Sequence, residues 1–209
     1  PGHLPVFIQL EVKEGSRPPL NDSYTPARAL PFDQNAWAQL HAEIRSVFPD
    51  YTLFTPNELR GDFPSVNAAV RTRGWPTIEG LAGRVIFMLL DDEEAQRAYA
   101  TFTASGETPL LHLAIAPEDP STGWLIRPNP FSPDIPDLVE ANFLVYTRAD
   151  ANSAEPRRGD LSRARAAMAS GAQLISTDYP WPVPEHGPYA VSFDGKFVRC
   201  NRAARPQGC

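Results

Sequence analysis

The chain has 209 residues, 42% of them hydrophobic and 21% charged, with a formal net charge of -6. That composition is globular and long enough to enclose a core, and its acidic balance argues against a nucleic-acid partner, which favours a basic face. No apolar run approaches the roughly 18 residues of a membrane-spanning helix.

The 23 prolines concentrate between the apolar runs, which predicts long, ordered connections. The chain starts on Pro1 with no initiator methionine or signal peptide ahead of it, and is expected to be a processed form or a fragment. Val6 to Lys13 predicts a strand, with Val6, Ile8, Leu10 and Val12 on one face and Phe7, Gln9, Glu11 and Lys13 on the other. A linker rich in Pro, Asn and Asp runs from about Gly15 to Pro31. Asp33 can cap a helix on which Trp37, Leu40, Ile44, Val47 and Phe48 share a face, and Pro49 ends it. A shorter helix starts near Pro64 and Ser65 and stops at Gly74. Arg84 to Asp91 is apolar on both faces, as a parallel strand covered by helices is.

A helix over Asp92 to Phe102 and a strand over Leu110 to Ala116 follow, then a proline-punctuated stretch to Pro136. A short helix at Asp137 to Ala141 leads into a strand at Phe143 to Arg148. Asp160 to Ser170 is alanine-rich and helical, with Gly171 as its stop. Gln173 to Asp178 is a further strand, and Asp194-Gly195 predicts a hairpin turn in the tail. Five strands alternating with helices imply a parallel α/β architecture, either an open doubly wound sheet or part of a (β/α)8 barrel. No glycine-rich phosphate loop follows the first strand.

In such a fold the site lies at the C-terminal ends of the strands. Glu11 and Lys13 end the first strand on one face: a carboxylate for a hard cation such as calcium and an ammonium for a phosphate oxygen, or else a solvated charge cluster. Arg148 and Asp150 end the fourth predicted strand. The guanidinium suits phosphate or polyol hydroxyls, and the alternative is a salt bridge that organises the loop. Asp178 and Tyr179 end the fifth, where the phenol can stack on a sugar-like ring or pack the rim, and Asp178 can cap the turn before Pro180. Of the four histidines only His112 lies within a strand, where a satisfied core role is expected. Cys200 and Cys209 are the only cysteines. They either close a small terminal loop as a disulfide in an oxidising compartment, worth roughly 2–3 kcal/mol, or are free thiols on a frayed tail.

Several runs together resemble the calcium-dependent phosphoinositide-specific phospholipases C of the bacterial and fungal secreted type. They are His3 to Lys13, Gly74-Trp75-Pro76-Thr77, Gly83 to Phe87, Thr147-Arg148-Ala149-Asp150, Ser170 to Pro180, and the ending Arg199-Cys200-Asn201 with Cys209. The resemblance spans essentially the whole chain. It implies a TIM-type (β/α)8 barrel, of which residues 1–209 supply about strands four to eight, with 181–209 a disulfide-closed tail joining Cys200 and Cys209. It also implies a secreted monomer acting on phosphatidylinositol at a membrane surface, with Ca2+ as cofactor and no transmembrane segment. The products are diacylglycerol and an inositol cyclic phosphate. By the same resemblance Glu11 is a metal ligand, Lys13 a catalytic lysine in a Glu-x-Lys pattern, and Arg148 a headgroup-binding arginine. Asp178 and Tyr179 are counted with Arg148 as substrate-binding candidates.

The family carries both catalytic histidines and its other calcium ligands on barrel strands that precede the His-Leu-Pro run, which here begins at His3. The chain alone is therefore expected to be inactive. Two other functions stand beside this one: a glycerophosphodiester phosphodiesterase, which shares the barrel and the Glu-x-Lys strand end, and a non-catalytic lipid-headgroup or sugar-binding barrel.

Overall fold

A computed structural model of the chain describes residues 2–12, 23–24, 26–196 and 198–201. Lys13 and Cys209, and with Cys209 the expected disulfide, lie outside the described residues. The fold is α/β with parallel sheets, and the chain divides into two compact units. One comprises Pro1–Asn67 and Pro76–Thr122, the other Ala68–Trp75 and Gly123–Cys209.

The first unit holds a parallel sheet in the order β1 (Val6–Leu10), β2 (Val85–Leu89), β3 (Leu111–His112). Its register sets Ile8 beside Phe87 and Leu10 beside Leu89. Ile8, Leu10 and Val12 of the apolar face expected of β1 thus join the odd face of β2 in one core, while Val6 is exposed. Trp37 and Ile44 of α1 (Gln34–Val47) and Tyr99 and Phe102 of α4 (Glu93–Ala104) complete it. Ile86 and Met88, on the opposite face of β2, are also fully buried, as the apolar run on both faces predicts. Asp33 caps α1 by accepting from Ala36 N at 2.9 Å, and Asp92 caps α4 through Ala95 N at 3.0 Å. A short α2 (Pro56–Arg60), opened by a capping box of Thr55 and Glu58, was not expected.

Strand β3 is shorter than the seven residues expected, because side chains take over its ladder. The Gln96 carboxamide accepts from Ala114 N and donates to Ala114 O, and Thr122 Oγ1 accepts from Ile115 N at 3.1 Å and Ala116 N at 3.3 Å. Tyr99 Oη accepts from Leu110 N and Leu111 N, at 2.8 and 3.0 Å. With both lone pairs engaged, its one hydrogen goes to His41 Nε2, 2.8 Å away, so a single buried phenol ties α4 to β3 and to α1.

The second unit holds the parallel order β4 (Trp124–Ile126), β5 (Leu144–Arg148), β6 (Leu174–Ser176). The first of these corrects the sequence reading: six strands are present among the described residues, not five, and β4 lies inside the stretch taken as a proline-punctuated connection. A strand of three residues, set between Gly123 and Pro128, is too short to show an alternation. The Gln173 side chain extends the β5–β6 pairing, accepting from Val145 N at 2.8 Å and donating to Phe143 O at 3.1 Å. Helices α5 (Ile135–Glu140) and α7 (Ser162–Ala169) fall where helices were expected, while α6 (Ala154–Arg158), which contains Pro156, was not foreseen. Helix α3 (Val66–Arg73) stops at Gly74, whose φ of +76° glycine adopts without strain. Asp194 and Gly195 make the expected tight turn, with φ of +53° and +76°, closed by paired hydrogen bonds between Phe193 and Lys196.

Candidate functional site

The C-terminal ends of β5 and β6 bring two of the candidate residues together. Arg148 closes β5, half-buried, and its Nη2 lies 3.7 Å from Oδ2 of the exposed Asp178, just past β6. That separation is an ion pair without a hydrogen bond. The guanidinium N–H groups of Arg148 donate to nothing among the described residues. By contrast Arg84, Arg97, Arg127 and Arg163 each donate at least two hydrogen bonds. A half-buried guanidinium with its donors uncommitted is chemically suited to a phosphate or to vicinal hydroxyls.

Asp150 has a different part. It is fully buried, and its carboxylate accepts from Thr177 Oγ1 and, at 3.2 Å, from Asp178 N. It therefore organises the turn that carries Asp178 rather than pairing with Arg148. Tyr179 packs edge-on against His186 and Tyr189, at centroid distances of 5.2 and 5.7 Å, and its hydroxyl donates to Ser153 Oγ at 2.7 Å. Those contacts make Tyr179 part of the wall behind the strand ends.

In the first unit Glu11 follows the last residue of β1 and is exposed. A second carboxylate, Asp91, lies at the end of the adjacent β2 and accepts from Val12 N and Asp92 N, each hydrogen bond at 2.9 Å or less. Two strand ends thus carry acidic side chains. Calcium takes about six to eight oxygen ligands, and among the described residues no group of three or more His, Cys, Asp or Glu is placed to hold a metal. These residues do not by themselves make a calcium site; Glu11 can supply one or two of its oxygens.

Two histidines are structural. His112 is fully buried, and its Nε2 meets Phe54 O at 2.9 Å, so this nitrogen carries the proton and donates. Burial pushes its pKa down to about 4. His41, against Tyr99, is held below the ordinary histidine value by burial and then by the Arg45 charge.

The model of the family described as phosphoinositide phospholipase C, Ca2+-dependent, matches residues 1–202. The chain belongs to that family. Its fold is similar to that of the Ca2+-dependent phosphatidylinositol-specific phospholipase C of Streptomyces antibioticus, with a TM-score of 0.56, 21% identity, and 85% of this chain covered. It is also similar to the calcium-dependent phosphoinositol-specific phospholipase C of a Gram-negative Pseudomonas species. There a structure described as an apo form and myoinositol complex gives a TM-score of 0.58 at 16% identity, and an apo crystal form 0.59 at 16%, each over 95% of this chain. This chain spans about 65% of the length of each of these three structures. No curated protein matches the chain.

Within this phospholipase C family member, two contributors to the strand ends escaped the sequence reading. Asp91 ends an apolar run, the same position in its strand that drew notice to Glu11 and Arg148, and that position was the available signal. Arg163 sits on α7 and acts on backbone carbonyls, which no residue type announces.

Proposed function

We propose that the whole protein is a calcium-dependent phospholipase C that cleaves phosphatidylinositol to diacylglycerol and an inositol cyclic phosphate. This chain would then supply six strands of a (β/α)8 barrel, one more than its apolar runs suggested. The observation that carries the reading is Arg148: a half-buried guanidinium at a strand end, facing Asp178 at 3.7 Å with its donors uncommitted, in a member of a phosphoinositide-cleaving family. In the bound state Arg148 donates to a headgroup phosphate or ring hydroxyl and Asp178 accepts from a hydroxyl beside it. Charged donors of this kind hold a polyanion in register before any bond is broken.

Glu11 would supply oxygen to a bound calcium, whose chemistry would be to polarise the phosphodiester. The remaining oxygens come from elsewhere in the whole protein. Lys13 serves as the second phosphate contact, and a secreted location goes with the Cys200–Cys209 pairing. Two apolar side chains support a membrane-surface substrate. Phe131, after β4, is 60% exposed and Trp181, after β6, is 62% exposed, both in proline-flanked loops that follow strand C-terminal ends of one sheet. Among the described residues no helix is long and apolar enough to cross a membrane.

The test is substrate competition: the whole protein is offered phosphatidylinositol and glycerophosphocholine, with calcium and with chelator. Cleavage of the first alone, lost on chelation, is the expected result. Cleavage of glycerophosphocholine would point to the phosphodiesterase instead.

A further inference from the structure

Strand β4 stops short of its neighbour. The last rung between them runs from Arg127 N to Tyr146 O at 2.8 Å. The next rungs of a parallel ladder, from Arg148 N to Arg127 O and from Asn129 N to Arg148 O, are not formed among the described residues, where Pro128 follows the strand. The side chain of Arg163, on α7, takes the vacant place. Its Nε donates to Arg148 O at 3.2 Å and its Nη2 donates to Pro128 O at 2.6 Å. Glu155 Oε1, on α6, stands 3.8 Å from the same guanidinium, while Glu155 Oε2 accepts from Ala151 N at 2.9 Å. The side chains of Arg163 and Glu155 are only 19% and 16% exposed. On the other edge, Ala149 N donates to Ser176 O at 2.9 Å, and the buried Asp150 holds Thr177 and Asp178.

We infer that Arg163 is the positioning residue for Arg148: a side-chain rung that fixes the end of β5 and so sets where the headgroup-binding guanidinium can reach. This rests on the proposed role of Arg148. The two arginines divide the work by what their donors meet. Arg163 donates to two backbone carbonyls, with the Glu155 carboxylate 3.8 Å away as an ion pair. Arg148 spends none of its guanidinium donors among the described residues. Arg148 O is the carbonyl of the residue whose side chain is at stake, so a shift there moves the guanidinium with it. Displacement of a binding group by about 1 Å can cost up to about a hundredfold in rate. Because the contact to an inositol phosphate is made in ground and transition states alike, its loss appears in KM rather than kcat.

The experiment is a double-mutant cycle in the whole protein, with phosphatidylinositol in vesicles as substrate. Arg163→Met is expected to raise KM by about five-fold or more with kcat within about two-fold. Arg163→Lys, which can reach one of the two carbonyls, should fall between Met and wild type. In an Arg148→Lys background the Arg163→Met effect should shrink to within about two-fold, because the forked guanidinium whose placement it fixes is replaced by a freely rotating ammonium. If Arg163→Met does not fold, as a thermal melt would show, Arg163→Lys and Glu155→Gln carry the test with the same direction and smaller size. Equal KM effects of the Arg163 substitutions in both backgrounds, or none in either, would overturn the inference. If Arg148→Lys itself leaves KM unchanged while wild type cleaves phosphatidylinositol, the assignment of Arg148 fails, and the inference with it.

Discussion

Replacing Tyr99 by Phe removes one oxygen and keeps the ring, so nearly all of its effect comes from three hydrogen bonds. The Tyr99 hydroxyl accepts from Leu110 N and Leu111 N and donates to His41 Nε2, all within 3.0 Å and all in a fully buried setting. The phenol is so embedded that burial raises its pKa to about 12, and deprotonation plays no part near neutrality. Each orphaned buried group costs about 1–3 kcal/mol, so three give a loss of about 3 kcal/mol at the low end. For a chain of this size that corresponds to a fall in melting temperature of about 6–12 °C. Chemical denaturation followed by tryptophan fluorescence reports the first unit through Trp37, which packs edge-on against Tyr99 at 5.0 Å. Hydrogen exchange should show lost protection at the amides of Leu110 and Leu111. A Tyr99→Phe protein within about 1 kcal/mol of wild type, with both amides still protected, would refute the reasoning.

Two further outcomes follow from the same structure. Stability should fall with acidity: His112 and His41 both have pKa values below that of an unfolded histidine, so the unfolded chain binds more protons and acid favours it. The contribution is complete above about pH 6.5 and is lost as pH falls towards about 4; for His112 alone it amounts to about 3 kcal/mol, and His112→Gln should flatten the profile measured by urea titration. Trp181→Ala should weaken sedimentation of the whole protein with lipid vesicles by about ten-fold, on the order of 1.4 kcal/mol, with the melting temperature unchanged; equal sedimentation would remove the rim loops from the membrane reading.

Elements with several turns or rungs could be read from sequence, because periodicity accumulates along them. The face of α1 through Trp37, Leu40 and Ile44 and its cap at Asp33 are examples, as is the double-faced apolar run of β2. Three short elements could not: β4 offers three positions, and α2 and α6 contain Pro56 and Pro156, which in a sequence read as interruptions. The extent of β3 was overestimated because side-chain amides and hydroxyls from Gln96 and Thr122 replace main-chain partners there. At the site, the strand-end rule singled out Arg148 and Asp178 separately, and the structure sets them 3.7 Å apart. The division of labour among Arg148, Asp150 and Arg163 depends on which donor meets which carbonyl, and only coordinates show that.

The most direct measurement is phosphorus NMR of the whole protein acting on phosphatidylinositol vesicles, with wild type and Arg148→Ala compared in calcium and in chelator. The account predicts a calcium-dependent inositol cyclic phosphate signal from wild type and at least a tenfold loss of kcat/KM, about 1.4 kcal/mol, for Arg148→Ala. A cyclic phosphate signal that persists in chelator, or that Arg148→Ala leaves intact, would contradict it.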